Sequence, residues 1–367
     1  MARKIVVLGQ GASHEACCSA VQALGGKVVK WLPLVNAVVV EDLDGLGLST
    51  LSSRADVLQV TEDIPVRAIG LVASVRPWRP VPVEGRCAVV PWGVRRVGAP
   101  WVWRRTRGEG VTVAVLDTGV AFDHPDLEAR IVDHYSAVGG ASEDRNGHGT
   151  HVAGIIAGSG IPNGVYGVAP RAGLAAVKVL RDDGSGQLSD VIDGLSWCVE
   201  KGVPVANLSL GTPLSHPLLK EAVSRAAKKG LLVVAAAGNS GPRENSLEYP
   251  AAYGAVVSVG ACDHAGEIAP FSSRGPGLDL CAPGKDIYST WLGGGYRRLD
   301  GTSMAAPHVA GVAALIIAAG RSVCRVLRGD GTRRYLLNGA VPLPGRSPDA
   351  QGRGMVDARK AFESMGV

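Results

Sequence analysis

Residues 111–120 read VTVAVLDTGV. The run 111–116 is apolar or β-branched without a break. That suits a strand buried on both faces, as in a parallel sheet, better than a strand with one wet face. Asp117 ends the run, and the DTG that it opens is also turn chemistry. Two readings of Asp117 therefore stand side by side: an acid at the carboxyl edge of a buried strand, where sites of such sheets lie, or an Asx-turn residue. DTG also resembles an aspartic-protease signature. One copy is present, and that chemistry needs two carboxylates sharing a proton.

The same texture recurs outward from this stretch. Strand-like runs follow at 173–180, 203–210, 231–237 and 255–261, with helical patterns at 188–201 and 217–229. Apolar strands alternating with helices predict an α/β fold: a central, mostly parallel sheet with helices on both faces. The 367 residues are 46% hydrophobic and 19% charged, which suffices for a sizeable core and excludes wholesale disorder. The 50 glycines favour tight turns and close backbone approach over long bundles. A net charge of +5 is a mild bias and calls for no nucleic acid.

Residues 1–68 read differently. Strand patterns at KIVVL, KVVKWL, NAVVVEDL and DVLQVTED surround helical patterns near 13–24 and 46–54. The order βαββαβ predicts a small ferredoxin-like α+β domain. GQGASH after the first strand lacks the third glycine of a dinucleotide fingerprint, since His14 stands there. Residues 69–87 are rich in Pro and Arg and read as a linker. Arginines from Arg76 to Arg107 are interleaved with Trp78, Trp92, Trp101 and Trp103. Packing against the following domain, 88–367, is favoured there over single-strand nucleic-acid binding. The apolar run at Ile5 is too short for a signal peptide, and no membrane span is expected. Seven cysteines without a CxxC exclude a complete intrachain disulfide framework and zinc spacing.

Three further stretches carry chemistry. His148 and His151 lie in NGHGTHVAGI at a helix start; HExxH is absent, and the glycines at 147 and 149 are read as leaving the His148 ring uncovered. Asn239, in VAAAGNSG, is a turn asparagine or an amide donor to an oxyanion. In GTSMAAPHVAG, Thr302 or Ser303 is expected to cap the helix that follows. Ser303 is then both a cap candidate and a nucleophile candidate beside exposed backbone N–H groups.

Together AVLDTGV, NGHGTHVAGI, VANLSLG, VAAAGNSG and GTSMAAPHVAGVAAL resemble the subtilisin-like serine proteases, in that family's Asp, His, Ser order. The resemblance spans roughly residues 88–362, and residues 1–68 resemble the family's inhibitory prodomain. It implies a serine endopeptidase with Asp117, His148 and Ser303 as triad and Asn239 as oxyanion donor. Ser209, Leu210 and Gly211, with Ala236, Ala237 and Gly238, would pair with the substrate backbone. Glu248 falls near the primary specificity pocket, where it would favour Lys or Arg before the cleaved bond or else turn to solvent. Met304 beside the nucleophile implies sensitivity to peroxide.

The resemblance also implies a self-processing zymogen, cut between Val66 and Ala88, with TEDIPVRA in the cleft until then. No cofactor is expected for the chemistry. Structural calcium would use Asp126, with Ile161 and Ala88 where the family has side-chain ligands, and a weaker site would join Asp279 to the carbonyls of Ala251, Tyr253 and Val256. Protein substrates, the chain's own prodomain as inhibitor and a monomer are expected. Export is the family's default, whereas a native start at Met1 would place the chain in the cytoplasm. The competing reading is a catalytically inactive binding protein on the same fold.

Overall fold

The computed structural model describes residues 3–69 and 87–367. Most of the segment between Val66 and Ala88, where processing is expected, lies outside those residues, as do Trp78, Arg76, Arg79 and Arg86.

The N-terminal unit runs β1 (Lys4–Leu8), α1 (His14–Ala23), β2 (Lys27–Leu32), β3 (Ala37–Glu41), α2 (Gly45–Ser52) and β4 (Val57–Glu62). Its sheet has the order β2-β3-β1-β4, with antiparallel pairs throughout. Ser13 caps α1 through the Ala16 N–H, and Asp44 caps α2 through the Gly47 N–H. Alternation divides the sheet. Val6, Val38 and Val40 face α1 and α2, while Ile5, Ala37 and Val39 join a core shared with the larger unit. A further strand, β5 (Pro65–Ala68), leaves this unit.

The larger unit begins with two short helices, α3 (Trp92–Arg96) and α4 (Ala99–Val102). Arg107 stacks over Trp103 and Tyr166, and Trp103 Nε1 donates to Val168 O. Trp103 thus packs on the fold, whereas Trp101 is 45% exposed. Next come β6 (Thr112–Asp117), β7 (Ile131–Ser136), α5 (His148–Ala157), β8 (Gly173–Lys178), β9 (Ser185–Gln187), α6 (Leu188–Glu200), β10 (Val205–Leu208), β11 (Leu210–Gly211) and α7 (Pro217–Lys228). The chain continues through β12 (Leu232–Ala236), β13 (Val257–Cys262), β14 (Leu280–Pro283), β15 (Ile287–Thr290), β16 (Tyr296–Leu299) and α8 (Thr302–Ser322).

Seven strands form one parallel sheet, ordered β14-β13-β12-β10-β6-β8-β7. Val113 and Val115 face a core containing α5 and α8; Ala114 and Leu116 face one containing α6 and α7. The expected α/β architecture is present. Strand order reverses around β6, which places Asp117 at a topological switch point. Helix α8 is long and apolar enough to cross a membrane by length and composition alone, contrary to the expectation that no run would be. Its residues Thr302–Gly320 are buried against the sheet.

Candidate active site

The structure joins Asp117 to His148, whereas Ser303 Oγ bonds Ile69 O and Ser209 O and makes no hydrogen bond to His148. Asp117 ends β6 and is fully buried, with the Thr118 N–H bonded to its Oδ1 at 2.7 Å. His148 opens α5, and its Nδ1 lies 2.7 Å from the same oxygen. Burial disfavours a charged His148. The adjacent Asp117 carboxylate, helped by Asp144, outweighs that, so the pKa is raised. His148 Nε2 is buried and carries no hydrogen bond.

Sequence reasoning missed Asp144. Its Oδ1 accepts from the Asn146 and Gly147 N–H groups and from Thr118 Oγ1, and its Oδ2 from Thr150 N and Oγ1. It thereby fixes the first turn of α5 against the end of β6. An acid just before a helix start was the available signal. The reading of glycines 147 and 149 needs correction. His148 is only 1% exposed, so the ring is not uncovered. Gly147 holds a φ of 100° with its Cα against Trp291, and a Cβ on Gly149 would sit 2.1 Å from Gly119 O. Both glycines serve close packing. His151 is no metal ligand here: its Nε2 bonds Ile287 O and Arg297 O, and burial pushes its pKa down to about 3.

Ser303 lies in the first turn of α8, yet the cap is Gly301, not Thr302 or Ser303. Thr302 instead donates from its N and its Oγ1 to Asn239 Oδ1, both at 3.0 Å. That fixes the amide with Nδ2 as its donor end, and a Cβ on Gly301 would stand 3.3 Å from Nδ2. Pro307 has no N–H for Ser303 O, four residues earlier. Ser209 Oγ supplies the missing bond at 2.8 Å and ties the serine to the end of β10. Met304 is fully buried behind it.

The cleft is occupied. β5 pairs antiparallel with β11 on one side and with β9 on the other. Ala68 N donates to Gly184 O, and Ile69 N to Ser209 O. Ser303 Oγ lies 3.1 Å from both Ile69 O and Ser209 O. Of the predicted backbone-pairing residues, Ser209, Leu210 and Gly211 take this part. Ala236, Ala237 and Gly238 form no ladder with the described tail; Ala237 bonds Val259 and Glu248 instead. The second edge is Ser185–Gln187, which three residues of small and polar type concealed. Glu248 is half-buried, and Ser240 Oγ donates to its Oε1 at 3.3 Å. A Cβ on Gly211 would meet its Oε2 at 2.8 Å, and one on Gly238 its Cγ at 2.8 Å. Burial raises its pKa, against the Ser240 hydroxyl and Arg67.

The calcium readings do not fit these donor sets. Asp126 is fully buried, and its oxygens accept from Ser159 Oγ, Ile161 N, Val165 N and Tyr296 OH. Donors, not the oxygen ligands a hard cation needs, converge on it. Val165 O accepts from Gly160 N, and Gly164 packs so closely that a Cβ there would be 2.4 Å from Asp126 Oδ2. Asp279 is held by the Arg333 guanidinium at 3.0 Å, and the Tyr253 carbonyl that was to share its cation accepts from Val256 N. An arginine thus stands beside Asp279 where Ala251, Tyr253 and Val256 were expected to help hold an ion.

Comparison with known proteins identifies the family. The model of the subtilase family matches residues 108–359. This chain belongs to the subtilase family. Subtilisin Savinase of Lederbergia lenta is 47% identical over 273 residues, which cover 74% of this chain and 98% of that protein. An intracellular serine protease of Paenibacillus polymyxa is 44% identical over 290 residues, 76% and 89% of the two chains. The major intracellular serine protease of Bacillus subtilis (strain 168) is 46% identical over 238 residues, 62% and 75%. The subtilase described here is a serine endopeptidase.

Proposed function

We propose that Ser303 is the nucleophile, His148 the general base and acid, and Asp117 the group that holds the His148 tautomer. The observation that carries this is Asp117 bonded to His148 at 2.7 Å while Ser303 Oγ touches a peptide carbonyl in the cleft. In turnover His148 Nε2 takes the Oγ proton as Oγ bonds to the scissile carbon. The oxyanion forms towards Asn239 Nδ2 and the Ser303 N–H. His148 then hands the proton to the leaving amine, and water repeats the sequence in reverse on the acyl-enzyme. Substrates bind as a strand between β9 and β11, as β5 does.

Residues 3–69 act as an inhibitory prodomain whose tail fills the cleft. Its docking is polar as well as apolar. Lys30 Nζ reaches Asp190 and Asp193 at 2.8 and 3.2 Å, and Asp63 accepts from Ser189 N and Oγ at the start of α6. Maturation at the bond after Ile69 is the reading supported by Ser303 Oγ lying 3.1 Å from Ile69 O. Glu248, half-buried and near Gly211, favours a basic residue before the cleaved bond by charge pairing. Against such a pocket, Ile69 is a poor substrate residue, which suits a retained inhibitor.

Two variants test the reading. Wild type splits after Ile69, read by N-terminal sequencing, while Ser303→Ala stays intact. Equal cleavage of both would sink self-processing. Profiling Glu248→Gln on a peptide library shows loss of preference for Lys and Arg; an unchanged profile removes Glu248 from specificity.

A further inference from the structure

Behind the sheet's β14 edge lies a small core separate from the three larger ones. Its buried side chains are Cys262, Cys281, Leu343 and Met355, so three of the four carry sulfur. Cys262 ends β13, Cys281 lies in β14, and Met355 sits in a bridge beside Cys281. Cys262 Sγ is 3.7 Å from Met355 Sδ, and Cys281 packs in the same cluster, opposite Met355 in the bridge. All three residues are at most 1% exposed. The proteolytic chemistry uses none of them.

We propose that Cys262, Cys281 and Met355 form a binding site for one soft, thiophilic cation, Cu(I). Two thiols and a thioether are the donor set that such a cation selects over harder metals. The Cys262–Met355 separation of 3.7 Å fits, since metal–sulfur bonds of about 2.3 Å in a trigonal plane put sulfurs about 4 Å apart. Zinc is disfavoured because it wants four donors, and among the described residues no further His, Cys, Asp or Glu completes a cluster.

Binding exchanges protons for metal without redox change. Both thiols lose their protons to solvent, two Cu–S bonds form, Met355 adds a lone pair, and copper stays Cu(I). The complex carries one negative charge. Entry requires displacement of Leu343, which is 6% exposed. The site also touches the catalytic frame: Cys262 O accepts from Gly284 N, and Gly284 O from Gly301 N, two residues before Ser303.

The test uses the full chain in the Ser303→Ala background, with Cys17→Ala, Cys18→Ser, Cys87→Ser, Cys198→Ala and Cys324→Ser removing every other thiol. Anaerobic competition against bicinchoninate reads Cu(I) binding. The expected result is one Cu(I) per chain with a near-ultraviolet thiolate–copper band. Below the thiol pKa, apparent affinity then rises up to about 100-fold per pH unit, because two protons leave. Met355→Leu weakens binding by about 10–100-fold, the range for a lost metal-site contact. Cys262→Val with Cys281→Val abolishes it, thermal melting reporting whether that variant folds. If it does not fold, the proton release and the Met355→Leu arm decide. Copper left entirely with the competitor, or held equally by the double valine variant, overturns the proposal.

Discussion

Asp117 and Asp126 stand nine positions apart, both fully buried, and the surroundings of their carboxylates could hardly differ more. Asp126 is saturated, with four protein donors on its two oxygens. Asp117 Oδ1 receives Thr118 N and His148 Nδ1, but Oδ2 is buried with no hydrogen bond. A saturated buried carboxylate stabilises a loop. An undersatisfied one keeps its charge available to a neighbour, here the imidazole. The contrast is what the proposed roles predict: a saturated acid that holds a loop and an undersatisfied one beside an imidazole.

The largest break in that comparison is Asp117→Asn. The amide keeps the shape but offers the wrong partner to His148, so kcat is expected to fall by about 10⁴-fold. The melting temperature should move little, because few donors depend on the side chain. The pH profile adds a check with a definite sign. His148 must be neutral to accept the Ser303 proton, and its raised pKa places the acid limb of kcat/KM above the ordinary histidine value of about 6.5. Removing the Asp117 charge lowers that pKa and shifts the limb to lower pH. A limb that stays in place would show that Asp117 does not set it.

Asn239→Ala comes next. It removes the Nδ2 donor together with the Oδ1 acceptor of Thr302 N and Oγ1, and leaves the side chains of Asp117, His148 and Ser303 in place. A loss of about 10²–10³ in kcat is expected, the range found for such a donor in subtilisin. KM should change little. A loss confined to KM would mean that Asn239 positions substrate instead of stabilising the oxyanion.

How far all this was legible depended on where the determining forces lie. The parallel sheet was plain because 111–116 and its counterparts are continuous apolar runs, and burial on both faces demands them. The proposed triad was legible only as a resemblance carried by five motifs together, because Asp117, His148 and Ser303 each keep a structural reading when taken alone. β9 was hidden because Ser185–Gln187 becomes a strand only when the tail pairs with it; nothing in the side chains asks for one. Gly147 was misread because its role is set by Trp291, far along the chain. The cap of α8 was misplaced because Asn239, a tertiary partner, recruits Thr302. At Asp126 the sequence showed only that Ile161 and Ala88 stand where side-chain ligands were expected; the donors that saturate the carboxylate were hidden because Tyr296, one of them, lies 170 positions away.

On the structural acid, Asp126→Ala is expected to destabilise the fold by about 2–4 kcal/mol, since Ile161 and Val165 N–H groups lose their buried acceptor. The catalytic effect should be small, because neither loop nor hairpin carries a triad residue. Urea unfolding read beside kcat makes the comparison with Asp117→Asn direct: one variant loses stability, the other activity.

The finest cut is Tyr296→Phe, which removes one of the four donors and leaves the ring in place. A hydrogen bond to a buried charge contributes about 1.5–3 kcal/mol, and relaxation of the three remaining donors should keep the loss near the lower end. A chelator sharpens the point. If Asp126 is held by protein donors, EDTA leaves the melting temperature of wild type unchanged, and Tyr296→Phe melts lower with or without it. If instead a cation holds the loop, EDTA lowers the wild-type melt and Tyr296→Phe matters little. The first pattern requires Asp126 to be satisfied by the chain itself; the second would return it to the metal reading.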